Sequence, residues 1–158
     1  MGDKLIKNMV AHFRELRVYR QAFLAAQTIF EHSKHWPPEE TYALTDQIRR
    51  SSRSVCANIA EAWRKRRYPN HFVSKLSDAD AEAAETQTWL DFALDCRYMD
   101  QATRDKLDEQ YEMIIGGLVK MMHSAEQWCG PSNQGREELG EYFLDPAQTP
   151  THPHPQPQ

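Results

Sequence analysis

No run of about 20 apolar residues occurs anywhere in this sequence, so no membrane-spanning helix is expected. The N-terminus lacks the apolar block and small-residue cleavage site of a secretory signal, which makes the cytoplasm the expected location. Cysteine is scarce. Cys56, Cys96 and Cys129 lie far apart without a CxxC, which argues against a zinc knuckle or a disulfide scaffold and for reduced thiols. Gly116-Gly117 has neither the lysine nor the hydroxyl of a phosphate-binding loop. The histidines form no HExxH, and no serine or cysteine sits in a nucleophile elbow. Glu82 and Glu85 lack the paired Glu-x-x-His motifs of a helical di-iron site. Met121 and Met122 read as packing residues rather than haem ligands, and His152 and His154 as part of an ordinary polar tail. The expectation is a noncatalytic chain with no catalytic residue, no metal and no cofactor.

What the sequence does hold is helical periodicity. Its 158 residues leave room for one substantial core. A first helix is predicted over about 13–33, with Phe13, Leu16, Ala22, Ala26, Ile29 and Phe30 on its apolar face. His35-Trp-Pro-Pro turns the chain, and Trp36 is expected to cover an end of the fold. A second helix starts within 41–45 and runs to about 66, presenting Leu44, Ile48, Val55 and Ile59 at three- and four-residue intervals. A slim, alanine-rich third helix is predicted over about 71–95, with Asn70 as its cap and Phe72, Leu76, Ala79, Ala83, Thr86, Leu90 and Ala93 facing inward. The fourth, about 101–128, takes Asp100 as cap and has a wide apolar face from Leu107 to Trp128, enough for more than one neighbour. Short connections then predict an all-α, antiparallel, up-down-up-down four-helix bundle. The organisation is an N-terminal extension over 1–12, the bundle over 13–129, a linker and packed arm over 130–144, and a disordered Pro/His/Gln-rich tail over 145–158.

The formal net charge of −4 conceals a polarised distribution. Arg49, Arg50, Arg53, Arg64, Lys65, Arg66 and Arg67 crowd the second helix and its end, whereas the third helix is acidic. Arginine forks suit phosphates, which makes these residues the candidate nucleic-acid surface. Equally, they could solvate the helix, favour its carbonyl-rich end, or pair with the acidic third helix within or between subunits. Gln47, Asn58 and Glu61 flank the packing stripe, where hydrogen bonds from Asn58 would fix helix register.

Phe13-Arg-Glu-Leu16, Pro38-Glu-Glu-Thr-Tyr-Ala-Leu44, Gln47-Ile-Arg-Arg50 and Ser54-Val-Cys-Ala-Asn-Ile-Ala-Glu61 occur in an order and spacing that resemble a bacterial four-helix-bundle family. That family includes proteins encoded in intervening sequences of large-subunit ribosomal RNA genes, and accessory proteins of diversity-generating retroelements look like distant members. The resemblance covers about 13–128 and implies a subunit that assembles into a homopentamer. The matching positions are Gln47, Arg49, Arg50, Ser54, Asn58, Ile59, Ala60, Glu61 and Glu85. The chain departs from the family at Ala62, where glycine is common, and at Ala81 with Glu82, where a Gly-Ser pair is common. The reading is a homo-oligomeric scaffold or accessory protein. A nucleic-acid-binding accessory protein using RNA or DNA is the alternative, and an unidentified protein partner is left open.

Overall fold

The computed structural model describes residues 10–129, and the expected arm over 137–144 and the tail over 145–158 fall outside the described residues. The described chain is all-α. Four helices, α1 (Arg17–Ser33), α2 (Asp46–Arg64), α3 (Pro69–Asp95) and α4 (Gln101–His123), are followed by a short α5 (Ala125–Cys129). They pack in a ring, each of α1 and α3 lying between α2 and α4, so consecutive helices are neighbours and α1 closes the bundle against α4.

The core explains the chosen faces. On α3 the fully buried Ala79, Ala83 and Ala93 let the backbone approach its neighbours, while Phe72, Leu76 and Leu90 fill the space between. Ile48, Val55 and Ile59 meet them from α2, and Leu107, Tyr111, Ile114 and Leu118 from α4. On α1 the buried set is Leu16, Val18, Ala22, Ala25, Ala26 and Ile29. Phe13 and Phe30, expected inside, are only half-buried, because α1 is rolled so that Val18 meets α4. Gly117 makes that roll feasible: a Cβ there would collide with a Val18 methyl, whereas Gly116 faces open space.

Boundaries differ from the periodicity in instructive ways. The predicted 13–33 helix divides into a 3-10 turn, Phe13–Glu15, and α1, because Leu16 turns extended as its side chain enters the core. Pro37 leads into a second 3-10 turn, Pro38–Glu40, and then a π-helical turn, Thr41–Thr45, which feeds α2. Asn70 does not cap α3. Pro69 occupies the first helical position, where its preset φ fits and its missing N–H costs nothing, and the extended Tyr68 stands as the cap residue.

The far end of α3 closes in a Schellman motif. The Tyr98 amide donates to the Ala93 carbonyl and the Arg97 amide to that of Leu94, both at 2.9 Å, with Arg97 left-handed at φ 62°. Asp100 caps α4 as the sequence implied, accepting from the Thr103 amide at 2.7 Å, and that bond lowers its carboxyl pKa. α4 stops short of the predicted 128 because Ser124 departs from helical dihedrals while its hydroxyl donates to the Lys120 carbonyl at 2.9 Å. Trp36 is buried and lies 6.2 Å from the Tyr98 ring, covering the end of the bundle where α3 turns into α4.

Candidate nucleic-acid interface on the second helix

Alpha-helical geometry places the α2 residues outside the core on two flanking stripes. Arg49, Arg53, Ala57, Ala60 and Arg64 follow one, toward α1. Arg50, Ser54, Asn58, Glu61 and Lys65 follow the other, toward α3. The arginine cluster of the sequence is therefore divided between two seams.

Toward α1, Phe30 is the organising residue. The Arg49 guanidinium lies 4.8 Å and that of Arg53 5.4 Å from its ring centroid, with the Lys34 ammonium at 4.8 Å. Arg49 Nε also donates to Ser33 Oγ at 2.7 Å, and that hydroxyl donates to the Phe30 carbonyl at 3.0 Å. Arg49 thus ties α2 to the end of α1. Arg53 is exposed and borders an apolar groove floored by Cys56, Ala57 and Ala60. Burial pushes the Cys56 thiol pKa up to about 11, which leaves it a packing group rather than a nucleophile at neutral pH.

Toward α3, a polar seam forms. Arg50 pairs with Glu85 at 3.1 Å, and the same Glu85 oxygen accepts from the Trp89 indole at 3.1 Å. Lys75 reaches across to Glu61 at 2.7 Å, to Asn58 Oδ1 at 3.1 Å and to Asp78 at 3.5 Å. The bond to Glu61, then the nearby negative charge, raises the Lys75 pKa. Asn58 is half-buried with both ends of its amide engaged, since its nitrogen donates to the Ser54 carbonyl at 3.0 Å and hydroxyl at 3.1 Å. Beneath these groups the Thr86 hydroxyl lies 2.9 Å from Ser51 Oγ and 2.8 Å from the Glu82 carbonyl, fully inside the bundle. Ile59 is buried in the same core, and Gln47 is half-buried at the start of α2.

At the end of α2, Arg66 stacks 3.4 Å from the Trp63 ring centroid and donates to the Trp63 carbonyl at 2.9 Å. Arg67 lies over Tyr68 at 5.7 Å. Arg64 and Lys65 are exposed and pair with no carboxylate among the described residues. The surface best placed to meet an external anion is thus Arg53, Arg64 and Lys65, a narrower set than the sequence suggested. Glu82 and Glu85 do not converge on a common centre, and no group of three or more His, Cys, Asp or Glu side chains among the described residues is arranged to hold a metal.

Phe30, Ser33 and Lys75 were not singled out in the sequence. Phe30 reads there as one more apolar residue and Ser33 as a helix end. Lys75 carried the only usable signal, a lysine at the start of an otherwise acidic helix.

A family model described as 23S rRNA-intervening sequence protein matches residues 14–120. Among solved structures, the chain is similar to a protein of unknown function from the S23 ribosomal protein family of Bacteroides thetaiotaomicron. The two share 26% identity and superpose with a TM-score of 0.61, covering 67% of this chain and 95% of that one. No curated protein matches. The α2 residues discussed above and Glu85 all lie inside the matched span.

Proposed function

The chain belongs to the 23S rRNA-intervening sequence protein family, and from that membership we propose that it is a noncatalytic, homo-oligomeric accessory scaffold of the cytoplasm. The observation that carries this reading is the outer face of α1 and α4. Leu24 is 61% and Met113 48% exposed, with Val119 beside them in the exposed set and Gly116 offering no side chain. A groove lined by Arg17, Gln21, Met113, Gly116 and Lys120 runs between the two helices. Apolar side chains grouped on adjoining helices suit burial against another copy, with the small Gly116 allowing close approach. Five copies is the number that the family resemblance implies, and the likeness to retroelement accessory proteins belongs to the same reading. Among the described residues no helix is long and apolar enough to cross a membrane.

Light scattering across a dilution series tests the assembly directly. A constant mass of several subunits at micromolar concentration supports it, and a single-subunit mass contradicts it.

The second reading is nucleic-acid binding, favoured specifically by the exposed and unpaired Arg64 and Lys65 with Arg53 nearby. Titration of structured RNA, single-stranded DNA and duplex DNA at two salt concentrations separates the two. Under this reading, Arg53→Gln, Arg64→Gln, Lys65→Gln lowers affinity and flattens the salt dependence without changing oligomer mass. Under the scaffold reading, no saturable binding exists for the substitutions to weaken.

A further inference from the structure

The α1–α2 groove is the least filled part of the described surface, and it is built differently from the α1–α4 face. It has a volume of about 460 Å³ and is concave. Cys56, Ala57 and Ala60 form its floor, and Phe13, Tyr19 and Phe23 rise at its side. Phe23 stands 47% exposed, and the Tyr19 ring packs edge-on against Phe13 at 5.0 Å. The rim is cationic. Arg53 borders the groove, Arg14 stacks over Phe13 at 4.7 Å, and Arg64 lies one turn beyond Ala60 on the same α2 stripe. A floor of small side chains with aromatic walls and a basic rim suits an inserted segment that carries bulky apolar groups between acids.

This chain contains one. Residues 136–145 read Arg-Glu-Glu-Leu-Gly-Glu-Tyr-Phe-Leu-Asp, placing Leu139, Tyr142, Phe143 and Leu144 among Glu137, Glu138, Glu141 and Asp145. The acids complement the arginine rim, and the aromatic pair matches the walls. The described chain also ends beside the groove. Trp128 meets Trp63 edge-on at 6.3 Å, and Cys129 feels the Arg66 charge, both at the end of α2. From there the nine residues 130–138 span up to roughly 30 Å. The groove runs along α2 from Ala60 to Arg53, a rise of about 10 Å.

We propose that the segment 139–144 docks into the α1–α2 groove of its own subunit, with Tyr142 and Phe143 against Tyr19 and Phe23 and the flanking carboxylates on the arginine rim. The segment covers Ala57 and Ala60 and keeps this groove from competing with the α1–α4 face in assembly. The inference is independent of self-association.

The test uses the full chain carrying Ala57→Cys, with alkylation at position 57 followed by peptide-resolved mass spectrometry over a dilution series. Docking predicts slow labelling at every concentration. Adding Tyr142→Ser and Phe143→Ser should accelerate it by about tenfold or more, and a synthetic 136–145 peptide should restore protection. A parallel Leu24→Cys chain should label at a rate indifferent to the segment substitutions. Labelling at position 57 that is unchanged by those substitutions overturns the proposal, as does protection that is lost on dilution, which would assign the groove to another copy. Oligomer mass, measured on the same samples, reports separately on assembly.

Discussion

The two long sides of α2 solve the same problem in opposite ways. Toward α3 every polar group near the seam is reciprocated: Arg50 by Glu85, Asn58 by Ser54 and Lys75, Glu61 by Lys75, and Ser51 by Thr86 within the core. Toward α1 the polar contacts gather at one end, where Arg49 and Arg53 clasp Phe30, and the remainder is an open apolar groove. The α3 side is a seam within one subunit. The α1 side and the outer face of α1 have apolar surface left to give to something else. Most of the family-matching positions, Arg50, Ser54, Asn58, Glu61 and Glu85, gather at the closed seam, so the shared pattern reads first as the lock between two helices.

The sharpest way to break the contrast is to truncate a leucine on each side. Leu90→Ala, fully buried on α3, should cost about 2–5 kcal/mol of folding stability in denaturant titration. Leu24→Ala on the exposed face of α1 should stay within about 0.5 kcal/mol and show its effect in subunit association instead. Equal losses at the two positions would erase the distinction. The glycine pair sharpens it at the α1–α4 contact. Gly117→Ala drives a methyl into the stiff Val18 side chain and should lose about 1–2 kcal/mol after its gain in helix propensity, while Gly116→Ala should gain up to about 1 kcal/mol in the subunit's own stability. Thermal unfolding of both single variants at a concentration that holds the association state constant is the check.

Smaller effects probe the polar lock itself. Thr86→Val removes the hydroxyl that joins Ser51 to the Glu82 carbonyl and should cost about 1 kcal/mol, read as a shifted denaturant midpoint with an unchanged slope. The Lys75 contribution should depend on pH. Its folded pKa is raised above the ordinary 10.5, so its pairing stabilises fully below that value and fades as pH rises through the raised one. Wild type should therefore show a loss of stability in that alkaline range that Lys75→Met lacks. Identical alkaline profiles would remove Lys75 from the lock.

Much of this architecture was legible in the sequence. The apolar intervals of α2, α3 and α4 named Ile48, Ile59, Phe72, Leu76, Leu90, Leu107 and Leu118 as core, because a helix that must bury one face repeats at three and four residues. Asp100 was readable as a cap for the same local reason. What escaped the pattern depended on partners distant in sequence. The roll of α1 that half-exposes Phe30 follows from Val18 meeting Gly117 on α4. Leu16 turns extended because burying its side chain outweighs helical continuity. The division of Arg49, Arg50 and Arg53 between two seams is set by where Ser33 and Glu85 stand, which a one-dimensional charge cluster does not encode.

The central claim is that assembly is carried by the outer face of α1 and α4 while the α2–α3 seam holds the subunit together. It is tested most directly by light scattering on the full chain carrying Leu24→Lys and Met113→Lys, with circular dichroism on the same sample. The account predicts a fall from a multi-subunit mass to that of one subunit with helicity retained. A variant that keeps the wild-type multi-subunit mass would contradict it.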